Sequence, residues 1–187
     1  MSSNYQYPST ELDRKRPSFR FEARGKLLSI TALVIILDRV TKFIIDRHLP
    51  NGSAHTLIPG VLRITHVLNT GAAFSMFAES TSPETVRLGL VAFSVLAAIM
   101  VFVMLWRLGR TITLTSVALA LILGGALGNL YDRIHYHFVI DFIEVTIVHY
   151  HWPDFNVADS CIVTGACLLL LEIFRPQPKQ IEPPTHN

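Results

Sequence analysis

Four stretches of the chain are apolar enough to be helical spans, and polar, turn-rich sequence separates them. The first, over 27–45, carries Asp38 and Lys42 inside it; the second, over 85–106, is uncharged after Arg87 and closes on Trp106. The third, over 111–131, has no charge at all. A fourth is free of charge only over 160–171, too short to cross a hydrocarbon core of about 30 Å. Extending it to 156–174 gives a workable length and forces Asp159 into its first turn.

Between the first two spans, residues 47–82 are polar with turn signals at Pro50–Gly52, Pro59–Gly60 and Asn69–Gly71. The run VLRITHVLN over 61–69 is rich in β-branched residues with some alternation, which predicts a strand in a small sheet lying on a membrane surface. Residues 1–26 predict a basic tail and residues 176–187 a proline-rich one, leaving 27–175 as one membrane domain. No small-residue cleavage site closes 27–45, so an uncleaved first span is expected.

Composition sharpens the class. Of 187 residues half are hydrophobic and 16% charged, against about a quarter charged in soluble domains. Mean hydropathy is +0.41. Cys161 and Cys167 are six apart, about 120° from eclipsed on a helix, so they predict separate buried thiols. The net charge of +2 is small, and its distribution is the useful part. Ten basic residues lie in the two tails and the loop after the second span, against four (Arg47, Arg63, Arg87, Arg133) on the other side. Both termini are therefore expected in the cytoplasm. Lys42, Asn69, Asn129, Asp132, Arg133, Asp141, Asn156 and Asp159 then gather at the outer face, with Asp38 leaning that way.

Ionisable groups at the margins of an apolar slab are costly, which makes them candidates for chemistry. Asp38 and Lys42 are four apart and share one helical face, as a structural ion pair or as the brace of a site. Asn156 and Asp159 have the spacing of a capping box, which alone would explain both. Gly124 and Gly128 form a GxxxG pair that lets another helix pack closely. Two HYH triplets, 135–137 and 149–151, suit a membrane interface better than a metal. No GxSG, HExxH or GxGD motif is present. What is left is carboxylate chemistry, in which two acids share a proton and divide the base and acid roles.

The motifs LDRVTK (38–42 within it), NTGAAFS (69–75), GNLYDR (128–133), VIDF (139–142) and FNVADS (155–160), in this order and spacing, resemble the type II signal peptidases. The resemblance implies an all-α membrane protein of four transmembrane helices, with a small extracytoplasmic β element and a short amphipathic segment between helices three and four. It implies an aspartic endopeptidase of the bacterial inner membrane that cleaves diacylglyceryl-modified prolipoproteins before the lipidated cysteine. Asp141 and Asp159 would be the catalytic pair, surrounded by Asn129, Asp132, Arg133, Asn156 and Ala158. Asp38, Lys42, Asn69 and Gly71 would complete the pocket. Lipid and lipidated substrate are the expected partners, with no metal, cofactor or nucleic acid, and the chain is expected to be a monomer. Asp132 is the rival to Asp141, but it adjoins Arg133, and a carboxylate with its own arginine is poorly suited to share a proton. A small transporter using the same acids is the rival class, although no internal repeat supports it.

Overall fold

The computed structural model describes residues 18–71 and 82–175. Its elements are α1 (Ser18–His48), β1 (Ala54–Ile58), β2 (Leu62–Asn69), α2 (Pro83–Leu108), α3 (Leu114–His135), β3 (Val139–Ile147), β4 (Tyr150–His151) and α4 (Val157–Ile173). Helix α1 begins inside the stretch expected as a tail, and residues 1–17, 72–81 and 176–187 lie outside the description.

Helix α3 is the centre of the bundle and packs against α1, α2 and α4. A core of Leu27, Ala98, Val101, Leu105, Leu119, Ala120 and Leu123 joins the first three. At the same end, Arg24 donates to the Trp106 carbonyl (2.9 Å) and lies 4.5 Å over its ring. The start of α1 and the end of α2 are thereby tied together. Close approach further along is set by the glycine pair. A Cβ on Gly124 would fall 2.7 Å from the Val34 Cβ, and one on Gly128 would fall 2.8 Å from the Asp38 carboxylate. The GxxxG face is therefore packed on α1, as its spacing predicts.

Large apolar side chains cover the outside of the bundle, including Leu33, Ile36 and Phe43 on α1 and Phe93, Leu96 and Ile99 on α2. Such a surface is stable in lipid and not in water. Two helices, Glu84–Leu108 and Leu114–His135, are long and apolar enough to span by themselves. Helix α1 is long enough but carries charges along its length, and α4 has only 17 residues.

The β element is larger than the sequence indicates. A four-stranded antiparallel sheet runs β1-β2-β3-β4, with Val67 opposite Asp141 and Asn69 opposite Val139. The segment between helices three and four, expected to be short and amphipathic, contributes strands β3 and β4. The physical reason is that β2 offers β3 a paired edge, which a reading confined to one segment does not reveal. The expectation of a helical protein with a small β element holds, and the sheet takes in this segment as well. A single bridge, Ile143 to Phe155, then fastens the segment leading into α4 back onto β3. Its hydrogen bonds, Phe155 N to Ile143 O (3.1 Å) and Ile143 N to Phe155 O (2.9 Å), bring Asn156 alongside Asp141.

Replacing Gly128 by alanine should therefore displace the Asp38 carboxylate and lower stability by about 1–3 kcal/mol, the usual cost of overpacking. Thermal unfolding in detergent checks this against Gly25→Ala, where a Cβ meets nothing within 4 Å. Equal midpoints for the two variants would refute it.

Candidate active site

Lys42 is 1% exposed in its side chain, and its ammonium has three partners. It donates to Asp38 Oδ2 (2.9 Å) and Asn129 Oδ1 (3.0 Å) and pairs with Asp132 Oδ2 (2.7 Å). Asp38 and Asp132 have no exposed side-chain surface, and one lysine cannot balance both. The second cation is Arg39, which pairs with Asp132 Oδ1, lies 3.5 Å from Asp38 and sits 4.9 Å over the Tyr131 ring. The other oxygen of Asp38 accepts from the backbone N–H of Ala158, in the first turn of α4 (3.1 Å). Ala158 is fully buried, and its small side chain suits this crossing of α1, α3 and α4.

This cluster decides how Asn129 points. An amide that accepts from an ammonium through its oxygen must present its NH₂ the other way. Asn129 Nδ2 accordingly donates to Asp159 Oδ1 at 2.7 Å. The same logic holds Asn156 and Asn69. Asn156 Oδ1 caps α4 by accepting from Asp159 N (3.0 Å), so its Nδ2 donates to Asp141 Oδ1 (2.7 Å). Asn69 Oδ1 accepts from Gly71 N (2.9 Å), so its Nδ2 donates to Asp141 Oδ2 (2.9 Å). Gly71 makes that turn at φ +80, which favours glycine, and a Cβ there would strike Leu90 on α2. The remaining oxygen, Asp159 Oδ2, accepts from Asn156 N (3.2 Å).

Each oxygen of the two carboxylates thus has one donor, and Asn156 donates to both residues. Amide donors favour ionised carboxylates, and burial opposes them. For Asp141, 3% exposed, burial wins and pushes the carboxyl up to about 6. The hydrogen bond from Asn69 resists this, the charge of Asp159 adds to it, and Asn156 and Lys42 pull back. A carboxyl near 6 can hold or release a proton in the physiological range.

Beside Asp159 a cleft of about 460 Å³ enters the bundle between α2, α3 and α4. Asn129, Arg133 and Asp159 line its polar end, and Leu90, Phe93, Ala97 and Ile162 are among its apolar walls. Arg133 belongs to this cleft, while the cations paired with Asp132 are Arg39 and Lys42. The expectation that Asp132 takes its neighbour in sequence is corrected. Helix geometry is the reason, since adjacent residues point about 100° apart. Ala72 to Ser75 of the NTGAAFS motif lie outside the described residues.

Arg39 is the residue that the sequence analysis passed over. A charge count would have found it, because two buried acids beside one lysine call for another cation. Of the histidines, His135 stacks on Tyr131 (5.3 Å) and His151 Nδ1 lies 3.1 Å from Thr146 Oγ1. The two cysteines are free.

Residues 30–175 match the family described as Signal peptidase (SPase) II. The chain is 39% identical over 161 residues to the lipoprotein signal peptidase of Solibacter usitatus, covering 86% of this chain and 95% of that one. It is 43% identical over 152 residues to the lipoprotein signal peptidase of Pseudomonas aeruginosa, covering 79% and 87%. A solved bacterial membrane enzyme superposes with TM-score 0.67 at 30% identity, over 82% of this chain and 95% of its own. These likenesses put the protein among the membrane aspartic peptidases. The chain belongs to the signal peptidase II family.

Asp141 should be protonated below about pH 6 and ionised above it. The infrared carboxylic-acid band lost in Asp141→Asn should therefore be present in the unmutated protein at pH 4.5 and absent at pH 8. A difference spectrum that titrates near 4 would show that burial does not control this group.

Proposed function

We propose that Asp141 and Asp159 are the catalytic pair of a lipoprotein signal peptidase, which removes signal peptides from lipid-modified prolipoproteins. The observation that carries the assignment is Asn156, whose side chain donates to one acid and whose backbone donates to the other. Asp141 is the carboxyl that keeps a proton, and Asp159 is the base. Asp159 takes a proton from a water, whose oxygen attacks the scissile carbonyl carbon, while Asp141 protonates the carbonyl oxygen. The resulting diol collapses. Its C–N bond breaks, the amide nitrogen takes the proton from Asp159, and Asp141 recovers one from a diol hydroxyl. The apolar cleft beside Asp159 suits the lipid-modified end of the substrate, with Arg133 at its mouth.

All four helices cross the bacterial inner membrane in this proposal, with the acids at the periplasmic face and both termini in the cytoplasm. Helix α4, with 17 residues, is about 26 Å long. That suits a slightly thinned bilayer, a modest cost. The charges in α1 do not argue against a span, because Asp38, Arg39 and Lys42 are neutralised inside the bundle. One copy supplies the pair and all the supports described for it, which is consistent with a single chain as the acting unit.

The decisive assay uses purified protein in detergent and a diacylglyceryl-modified prolipoprotein. Asp141→Asn and Asp159→Asn should each lower cleavage by at least 10³-fold, in the range seen when an acting group is removed. Folded Asp132→Asn should keep a measurable rate. An active Asp141→Asn enzyme beside a dead, folded Asp132→Asn enzyme would hand the role to Asp132.

Reporter fusions test the topology. A fusion after Arg110 should read as cytoplasmic, and fusions at Ser53 and His149 as periplasmic. An external signal at Arg110 would invert the protein and put the acids on the wrong side.

A further inference from the structure

The charge cluster behind the acids contains a residue whose position makes it more than a counterion. Lys42 donates to the Asp38 carboxylate and to one neutral amide oxygen, that of Asn129, and forms an ion pair with the Asp132 carboxylate. An amide oxygen is the weakest competitor of the three. It keeps its share because Asp132 does not depend on Lys42 alone: Arg39 holds the other oxygen of Asp132 and also approaches Asp38. Without Arg39 the buried cluster of Asp38, Asp132 and Lys42 carries a net negative charge. Lys42 is then drawn onto the carboxylates, and the Asn129 oxygen is left with only the longer hydrogen bond from Asn156 Nδ2 (3.3 Å) to fix its orientation. Its NH₂ is the donor to Asp159 Oδ1.

We propose that Arg39 is a positioning residue for the peptidase reaction, acting through Asp132, Lys42 and Asn129 on the ionised form of Asp159. Arg39 is suited to this by its setting. Its guanidinium is clamped between the Asp132 carboxylate and the face of Tyr131, and it borders a second cleft, of about 250 Å³, on the side away from Asp159. It therefore influences the reaction without touching substrate in the cleft beside Asp159. The charged and titratable groups around Asp159 are Asp38 and Lys42 from α1, Arg133 from α3, Asp141 from β3 and Cys161 on α4. The path from Arg39 through Asp132, Lys42 and Asn129 ends on a hydrogen bond to an Asp159 oxygen. Losing that donor disfavours the carboxylate needed as base. The acid limb of the rate profile must then move to higher pH.

The role of Arg39 rests on the assignment of Asp159 as base, and the test separates the two. Full-length Arg39→Met, Arg39→Gln and Arg39→Lys are purified in detergent beside Asp159→Asn, and kcat and KM are measured from pH 5 to 9 with thermal midpoints. Arg39→Met should lose about tenfold in kcat with KM within twofold, and its acid limb should rise by more than its alkaline limb. Arg39→Lys should recover most of the kcat and return the limb. Should Arg39→Met not fold, Arg39→Gln against Arg39→Lys makes the same comparison, since glutamine keeps a donor and loses the charge. Unchanged kcat and acid limb in the folded neutral variant would overturn the proposal while leaving Asp159 intact. So would a lower midpoint with a normal profile, which is the mark of a purely structural pair. An active Asp159→Asn enzyme would instead overturn the underlying assignment.

Discussion

Three asparagines, two of them buried, hold two carboxylates, and each asparagine oxygen is held in turn by a fixed donor. An amide can rotate end for end at little cost in shape, and a rotated amide would present its oxygen to a carboxylate. The fold prevents this by giving each oxygen an obligatory donor: an ammonium for Asn129, the first turn of α4 for Asn156 and the Gly71 backbone for Asn69. The donors come from α1, from α4 and from the turn after β2. The fold has to bring all three to one point, and the Ile143–Phe155 bridge together with the Gly124 and Gly128 contacts does so.

Charge balance explains why so many ionisable groups are tolerated at this depth. Burying one carboxylate or one ammonium alone is prohibitive; burying two of each with mutual contacts is not. Asp38, Asp132, Arg39 and Lys42 form such a set, and their sum is neutral. Asp141 and Asp159 stand outside that balance, with amide donors and no direct ion pair among the described residues. A group solvated by dipoles keeps access to both protonation states, whereas a group locked to a cation does not. Burial without a direct cation raises the Asp141 carboxyl, against the pull of its amide donors.

The helices were legible because their signal is local. Runs without charge, caps and glycine spacing mark 85–106, 111–131 and 156–174 within a few residues of α2, α3 and α4. The Asp38–Lys42 pair was legible for the same reason, being one turn apart on one helix. Strand β3 was not, because its identity comes from pairing with β2 more than seventy residues earlier. The partner of Asp132 was misassigned on the same ground. Proximity in sequence favoured Arg133, but the two cations that meet Asp132 come from α1. Long-range electrostatics leaves only one trace in a sequence, the count of charges that must cancel.

The spacing of Asn156 and Asp159 admits two explanations, a helix cap and a site. The geometry accommodates both, because the cap uses only half of each side chain. Capping occupies the Asn156 oxygen and one oxygen of Asp159. It leaves free the Asn156 NH₂, which turns to Asp141, and the second Asp159 oxygen, which receives Asn129. A capping box is rigid because it closes on itself, and here that rigidity is passed to Asp141 through the one group the cap does not need. Asp159 sits in the first turn of α4, at the positive end of its dipole, whereas Asp141 lies on β3. Two equivalent carboxyl groups would have no reason to divide acid and base between them. One at the head of a helix and one on a strand are made unequal by the backbone before any substrate arrives.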